Sequence, residues 1–224
     1  MNIYTVVHVK DEKQGREQAL LALSLGVDGV YFISHFGNDE LVVSLAKEFI
    51  KSNPDKHIGI NLLSTPVELV LDIAISNGIK NVWMDNAGIN TRCPDLELIA
   101  NLAEKVKATG LTLFAGVAFK YQRPETNFGE AAVIAAKNGF IPVTSGPGTG
   151  QSSSLLKLKE MYDDLGQAEM VNSDLALASG VNCHNIRSYE EYISHVFVAT
   201  GVSKNEHELD ENKLSGLLSL ARKK

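Results

Sequence analysis

The sequence is poor in the residues that mark several large classes of protein. Its two cysteines, Cys93 and Cys183, have no metal-ligand spacing. Two isolated cysteines argue against a disulfide-stabilised scaffold and suit a reducing compartment. No apolar run approaches the roughly 20 residues that a membrane-spanning helix needs, and no signal-peptide pattern opens the chain. We therefore expect a cytoplasmic protein without a membrane partner.

Clustered positive charge is also lacking. The formal net charge is −6, and the one basic cluster in the sequence is the tail at residues 222–224. Because nucleic acids bind basic faces, we expect no nucleic-acid partner. Hydrophobic residues make up 44% of the 224 residues, which is enough for a sizeable core.

What the sequence does contain is a regular alternation of strand and helix patterns. Short β-branched apolar runs begin about every 21 to 34 residues and alternate with amphipathic helical patterns. Six predicted strands cover residues 3–9, 29–34, 57–63, 81–86, 112–119 and 140–146, and two more end near residues 179 and 200. Predicted helices cover residues 13–25, 39–51, 64–78, 94–110, 127–139 and 210–222, with one more ending near residue 166. Trp83, Met161, Met170 and the phenylalanines are predicted to be core residues.

Eight strand–helix units without a linker predict one α/β domain, residues 1–224, folded as a single (β/α)8 TIM barrel. The alternative is a doubly wound open sheet. The Gly-x-Gly-x-x-Gly pattern that would favour a dinucleotide-binding sheet does not follow the first strand. The barrel is therefore the predicted fold, with its functional site at the C-terminal ends of the strands.

The ends of the last two predicted strands favour an anionic ligand. Each places a hydroxyl residue and a glycine after an apolar run, Ser179-Gly180 in one case and Thr200-Gly201 in the other. Glycine lets an anion approach free backbone amides closely, and barrels commonly bind phosphate after strands seven and eight. The sequence predicts a phosphate clamp here, beside a short helix that Asn185 would cap.

A glycine-rich loop follows the sixth predicted strand and begins at Ser145-Gly146. It lacks the Gly-Lys-Ser ending of a P-loop. We interpret it as a mobile lid, as a third wall of the phosphate pocket formed by Ser145 and Gly146, or as a plain connector.

Lys120 is the strongest single candidate for catalysis. Alternation along the fifth predicted strand places Lys120 on the face of Gly116 and Ala118, with Phe119 facing the other way. Small residues beneath a lysine leave space above the barrel interior. Such a lysine could hold an anion, act as an acid or base, form an imine, or pair with an acid at the rim. The imine is disfavoured, because nothing nearby in the sequence would lower the pKa of the lysine.

Other strand ends supply the remaining candidates. A carboxylate beside Lys120 would form an acid–base pair, and alternation leaves open whether Asp85 or Asn86 faces inward. Asn61 and His8 would orient the substrate.

No cofactor is predicted. His8 and His35 with one distant carboxylate form a weak metal pattern, and no metal site is assigned.

Several segments resemble the BtpA/SgcQ family of barrel proteins, named after a photosystem I biogenesis factor. The most distinctive is Val-Thr-Ser-Gly-Pro-Gly-Thr-Gly-Gln at residues 143–151. Others lie at residues 6–8, 26–39, 59–63, around Lys120, at 178–181 with Asn185, and at 198–204. The resemblance implies a phosphate-binding barrel without a defined general reaction. The family usually carries a Pro- and Gly-rich loop after the first strand, whereas here Lys-Asp-Glu-Lys follows at residues 10–13. We therefore expect a short loop that leaves the His8 side of the pocket open.

Two functions of different classes are compatible with these patterns. The first is an enzyme that acts by acid–base chemistry on a sugar phosphate or nucleotide-like compound, as an isomerase, a lyase or a glycosyl-transfer enzyme. The second is a non-catalytic barrel that binds a phosphorylated ligand as an assembly or regulatory factor. Paired titratable groups in the pocket favour the enzyme. A homo-oligomer is also expected, because barrels of this kind often associate through their outer helices.

Overall fold

Eight parallel strands close into a barrel, as the sequence predicts. The computed structural model describes residues 1–168 and 174–223, so the prediction for Met170 lies outside the described residues. Consecutive strands pair with each other, and β1 pairs with β8 to close the ring. The strands are β1 (Asn2–His8), β2 (Gly29–Ile33), β3 (His57–Asn61), β4 (Asn81–Met84), β5 (Thr112–Gly116), β6 (Ile141–Thr144), β7 (Ala176–Ala178) and β8 (His195–Val198).

Helices cover the outside of the barrel. In the described ranges these are α1 (Glu12–Ser24), α2 (Asp39–Ser52), α3 (Val70–Ser76), α4 (Leu96–Thr109), α5 (Phe128–Lys137), α6 (Leu155–Gln167) and α7 (Glu211–Arg222). Within those ranges, no helix has the length and apolar composition that crossing a bilayer requires. A two-stranded hairpin, β9 (Ser203–Asn205) and β10 (Glu208–Leu209), follows β8 and was not predicted.

Polar caps explain why most of these helices begin where they do. At five helix starts an aspartate or asparagine side chain accepts a hydrogen bond from a backbone amide of the first turn, which satisfies a donor without a helical partner. These caps are Asp11, Asn38, Asp95, Asn127 and Asp210.

The third helix begins later than predicted. Its expected start, residues 64–66, does not cap it, because the Ser64 amide and the Thr65 hydroxyl both donate to a carboxylate oxygen of Asp39. The chain then forms a 3-10 turn at Val67–Leu69 before α3.

Aromatic rings fill the barrel interior. Tyr4, Tyr31, Phe114 and Phe197 alternate inward along their strands, and each is 1% exposed or less. The ring centroids of Tyr31 and Phe197 lie 4.8 Å apart, and the Trp83 ring lies 4.9 Å above Phe197. These rings form a packed layer beneath the C-terminal ends of the strands.

The fifth strand ends earlier than predicted. β5 stops at Gly116, and Ala118 adopts a left-handed backbone with φ +47°. This turn ends the alternation on which the predicted side-chain directions rested. Phe119 therefore packs inside against Trp83, with ring centroids 5.9 Å apart, and not on the opposite face as predicted. Lys120 lies on the loop that follows β5.

Candidate functional site

A cavity of about 320 Å³ opens above the aromatic layer at the C-terminal ends of the strands. Every strand, or the loop that follows it, contributes to its lining. The lining residues are Val6, His8, Ile33, His35, Leu63, Trp83, Asp85, Lys120, Tyr121, Thr149, Ala178, Ser179, Gly180, Val181, Phe197, Ala199, Thr200 and Gly201. The cavity is thus apolar at its base and polar at its rim, as binding sites for small molecules usually are.

All four residues of the predicted clamp reach this cavity. Ser179 and Gly180 follow β7, and Thr200 and Gly201 follow β8, its neighbour in the sheet. The amide of Val202 closes a 3-10 turn onto the Ala199 carbonyl, so the amides of Thr200 and Gly201 precede the first bond of that turn. Among the described residues, the Gly180 amide likewise has no hydrogen-bond acceptor. These amides are the donors that an anion needs.

The loop after β7 is held in an unusual backbone conformation. Ser179 and Gly180 have φ values of +81° and +74°. The Ser179 hydroxyl donates to the Gly148 carbonyl at 3.1 Å and accepts from the Gly150 amide at 3.0 Å. The loops after β6 and β7 are therefore tied together beside the cavity.

Asn185 does not cap a helix, which corrects the prediction made for it. It stands before a 3-10 turn, Ile186–Tyr189, to which its side chain gives no capping bond. Its amide instead donates to the Gly180 carbonyl at 2.8 Å and to the Ser152 hydroxyl, and its oxygen accepts from the Asn182 amide. Asn185 thus fixes the backbone of Gly180.

Close backbone packing explains both clamp glycines. A Cβ atom at Gly180 would lie 2.2 Å from the Gln151 carbonyl oxygen, and one at Gly201 would lie 2.0 Å from the Val181 carbonyl oxygen. Gly180 also needs its positive φ, while Gly201 has no positive φ. A side chain at either position would displace a neighbouring loop, so substituting these glycines tests loop geometry as much as anion binding.

Asp85 faces the cavity and Asn86 is exposed, which resolves the alternative that alternation left open. The buried Asn61 donates its side-chain amide to Asp85 Oδ1 at 2.9 Å. Asn61 is not part of the cavity lining, and the bond to Asp85 is the contact by which it reaches the site. Burial raises the pKa of Asp85 above its ordinary value of 3.8, against the opposing effects of Asn61 and Lys120.

Lys120 lies at the rim of the cavity. Its backbone amide donates to the Ser145 hydroxyl at 2.8 Å, which fixes the loop that carries it. Its ammonium group donates to the Thr149 hydroxyl at 3.4 Å and lies 5.6 Å from the centre of the Phe119 ring. An ammonium group has three N–H donors, so beside its bond to Thr149 it can meet an anionic or carbonyl group in the cavity.

Ser145 and Gly146, which one interpretation of the sequence placed in a third wall of the phosphate pocket, do not line the cavity. The Ser145 side chain is buried, and its hydroxyl donates to the Gly146 carbonyl while accepting from Lys120. A Cβ at Gly146 would lie 2.1 Å from the Gln151 carbonyl oxygen. Both residues shape the loop after β6 from behind, because the Ser145 hydroxyl is already paired and Gly146 packs closely against Gln151.

Lys157 is a structural residue that the sequence reasoning missed. Its ammonium group donates to the Ala118 carbonyl at 2.6 Å and to the Ser145 carbonyl at 2.9 Å. It thereby joins the loops after β5 and β6. Burial lowers the pKa of Lys157 to about 8. A single lysine in a helical pattern gives no sequence signal for such a role.

His8 and His35 lie together at the opposite side of the cavity. Their ring centroids are 5.1 Å apart, and His8 Nδ1 is buried without a hydrogen-bond partner among the described residues. Burial, and next the neighbouring His35, lower the pKa of His8 to about 4. The His8 ring is therefore neutral at physiological pH, the form in which a ring nitrogen can bind a metal or accept a hydrogen bond.

The loop after β1 is short, as predicted, because α1 begins at Glu12. The residues 10–16 do not belong to the cavity lining. The His8 side is nevertheless bordered by the β9–β10 hairpin, whose residues 203–206 line an adjoining pocket together with His8 and His35. This hairpin brings in Glu206, which the sequence reasoning missed because its turn has no distinctive motif.

Known structures share this closed barrel. Phosphoribosyl anthranilate isomerase from Thermus thermophilus has a TM-score of 0.68 at 16% identity, with 98% of each chain covered. The enzyme of that name from Thermotoga maritima has a TM-score of 0.67 at 16% identity, covering 99% of this chain and 98% of that one. A 3-hexulose-6-phosphate synthase has a TM-score of 0.65 at 14% identity, covering 98% and 99%. At these identities the likeness shows the fold alone.

No family model and no curated protein sequence matches the chain. The resemblance to the BtpA/SgcQ family therefore rests on the short segments quoted above, and membership is not shown. The structural neighbours are (β/α)8 barrels, and the names given above include a phosphoribosyl compound and a hexulose phosphate.

Proposed function

We propose that the protein binds a phosphorylated small molecule, either a sugar phosphate or a nucleotide-like compound, in the cavity at the C-terminal ends of the strands. The observation that carries the proposal is the convergence of two glycine-containing strand ends, after β7 and β8, on one cavity. Their amides and the Thr200 hydroxyl would hold the phosphate, while Ser179, predicted as a further phosphate ligand, would shape the clamp through its bond to the Gly148 carbonyl. The phosphate-related names of barrels with the same fold support this choice.

The rest of the cavity suits the organic part of such a ligand. Val6, Ile33, Trp83 and Phe197 form an apolar base on which a sugar or base ring would rest. Asp85 is the carboxylate among the lining residues, and it directly follows β4, away from the clamp. Repulsion by Asp85 would keep the phosphate at the clamp and leave the carboxyl for the organic part.

We infer that the protein is an enzyme using acid–base chemistry. A carboxyl group whose pKa is raised holds a proton more readily than an ordinary aspartate, and Asn61 fixes its orientation. Lys120 would stabilise negative charge that develops on the substrate. A carboxyl group and a lysine in one cavity favour an isomerase, lyase or glycosyl-transfer reaction over the non-catalytic binder. This inference does not depend on membership of the BtpA/SgcQ family.

The clamp can be tested without knowing the substrate. Glycine-selective ¹⁵N labelling gives one backbone signal for each of the 18 glycines, and inorganic phosphate or ribose 5-phosphate would be titrated in. We expect the signals of Gly180 and Gly201 to shift saturably. Gly78 and Gly110, which follow helices, serve as controls and should stay in place. Binding that leaves Gly180 and Gly201 unmoved would place the anion site elsewhere and overturn the proposal.

The catalytic assignment needs a second experiment. A thermal-shift screen of phosphorylated metabolites would find a ligand, which is then incubated with wild type and with Asp85→Asn. We expect Asp85→Asn to bind the ligand as wild type does and to lose roughly 100- to 10,000-fold in turnover. If no ligand found in the screen is converted by wild type, the binding protein is the better interpretation.

Three further expectations remain part of the proposal. The protein is expected to be cytoplasmic, to form a homo-oligomer and to have no nucleic-acid partner. Size-exclusion chromatography with light scattering would test the second of these directly.

A further inference from the structure

A cluster of metal-ligating side chains lies at the mouth of the cavity. His8 follows β1, His35 follows β2, and Glu206 lies in the turn between β9 and β10. One potential ligand atom from each residue lies within 4.8 Å of the other two. Elsewhere in residues 1–168 and 174–223, no three His, Cys, Asp or Glu side chains come together in this way.

The distances between these three donor atoms, all within 4.8 Å, are near those found around a bound ion. Donor atoms about 2.1 Å from a tetrahedral metal ion are roughly 3.4 Å apart. His35 and Glu206 are exposed, so small side-chain rotations can bring their donors inward. His8 is partly buried at the end of a barrel strand and is the fixed member of the group.

The surroundings of His8 also point to a ligand. Its backbone carbonyl accepts from the Gln14 side-chain amide and lies 3.2 Å from His207 Nδ1. The strand end is therefore fixed, while Nδ1 of the His8 ring is buried and unpaired within the described residues. A buried ring nitrogen without a partner is costly. A bond from the imidazole to an ion would give this ring a polar partner.

The donor set selects the kind of ion. Two imidazole nitrogens and one carboxylate suit Zn²⁺ and its first-row neighbours, whereas Mg²⁺ and Ca²⁺ prefer oxygen ligands. Three protein ligands also leave a coordination position open, as in catalytic zinc sites. His8 and His35 line both the main cavity and the adjoining pocket, so this open position would face the ligand-binding space.

We propose that His8, His35 and Glu206 together bind one divalent transition-metal ion, represented by Zn²⁺, at the mouth of the cavity. The site revises the sequence-based expectation of no metal, which did not include Glu206. It does not depend on phosphate binding, because none of the three residues belongs to the clamp.

Cobalt provides a direct test, since Co²⁺ replaces Zn²⁺ and absorbs visible light when few ligands surround it. The full chain would be treated with a chelator, dialysed and titrated with CoCl₂, with Zn²⁺ affinity measured by calorimetry. We expect one ion per chain. Visible bands should appear without sulfur-to-cobalt charge transfer, which would report binding at Cys93 or Cys183 instead.

Two exposed positions provide variants that should fold normally. His35→Gln and Glu206→Gln should each weaken Co²⁺ and Zn²⁺ binding by at least about tenfold, because loss of a direct ligand costs no less than loss of its supporting partner. His184→Gln removes an exposed histidine outside the cluster and should bind as wild type does. No saturable binding by wild type, or equal affinity in the two cluster variants, would overturn the proposal.

Discussion

The two sides of the cavity rim are built in different ways. On the side of β6 to β8 the cavity is formed mainly by backbone amides and small residues, and its loops are tied to one another by Ser179, Asn185 and Lys157. On the side of β1 to β4 it is formed by ionisable side chains, His8 and Asp85 above all. The first side depends on the exact path of the chain, whereas the second depends on which side chains stand at strand ends. Substitutions should therefore cost folding stability on the first side and leave it largely intact on the second.

The largest loss of stability is expected for Lys157→Met. This variant leaves the carbonyls of Ala118 and Ser145 without their shared donor, at about 1–3 kcal/mol each, so we expect a loss of about 2–6 kcal/mol at neutral pH in urea unfolding. Lys159→Met, on the same helix but exposed, should change stability by less than about 0.5 kcal/mol. Equal effects of the two variants would contradict a role for Lys157 in joining the loops.

The pH dependence sharpens this prediction. The pKa of Lys157 is about 8 in the folded protein against 10.5 ordinarily, so between these values the unfolded chain binds more protons. The contribution of Lys157 to the free energy of unfolding therefore decreases as the pH falls from 10.5 to about 8, and it increases as the pH rises again. The difference in unfolding free energy between wild type and Lys157→Met should grow from pH 8 to pH 10.5. A constant difference would mean that Lys157 titrates normally.

A smaller loss is expected for Gly180→Ala, measured against Gly78→Ala. Both glycines have a positive φ, of +74° and +70°. A Cβ at Gly180 meets the Gln151 carbonyl, whereas nothing lies within 4 Å of one at Gly78. The backbone strain of a positive φ is common to both variants. Because of the close contact, we therefore expect the free energy of unfolding to fall by about 1–3 kcal/mol more in Gly180→Ala than in Gly78→Ala, as measured by chemical unfolding. Equal losses would show that the loop after β6 moves away freely.

Asp85→Asn, on the other side of the rim, should not destabilise the fold. Because the pKa of Asp85 is raised in the folded protein, this group contributes to stability at pH values below 3.8, its ordinary pKa. The contribution is lost as the pH rises through the pKa that Asp85 has in the folded protein. At pH 7 the variant should therefore be at least as stable as wild type, and this advantage should shrink in acid. Asp55→Asn, at an exposed position, controls for the change of net charge. A clear loss of stability of Asp85→Asn at pH 7 would contradict the expectation that substitutions on this side of the rim leave folding stability largely intact.

No measurable effect is expected when DNA is added. The net charge of −6 and the lack of a basic cluster outside residues 222–224 predict no retention of single-stranded or duplex DNA at ~0.15 M salt. Salt-sensitive binding in a gel-shift or fluorescence-anisotropy assay would show that this prediction is wrong.

The sequence was sufficient to predict the barrel because each strand–helix unit carries its own local pattern. Apolar β-branched runs and polar helix caps such as Asp11 and Asp95 do not depend on distant contacts. The positions of Asp85 and of the residues after β7 and β8 also followed from the rule that sites form at strand ends. The observed ends of the strands differ from the predicted ones by a few residues, because pairing with neighbouring strands decides where a strand ends.

Side-chain directions beyond the strand ends could not be predicted in the same way. The left-handed turn at Ala118 reversed the direction expected for Phe119, and no residue type announces it. Ser145 was expected in the pocket, but pairing with the Lys120 amide draws its hydroxyl into the loop. Glu206 joins His8 and His35 only because the closed ring makes β8 a neighbour of β1, a contact between residues about two hundred positions apart.

The β9–β10 hairpin makes the barrel a convenient scaffold for protein engineering. The side-chain amide of Gln14 donates to the His8 carbonyl and to the His207 carbonyl, the latter at 2.6 Å, and the Leu209 amide donates to Gln18 Oε1, so two side chains of α1 attach the hairpin to the start of the chain. Its turn belongs to none of the eight barrel strands. A library of replacement turns at residues 205–208 would change what enters the cavity from this side while each barrel strand keeps its native sequence.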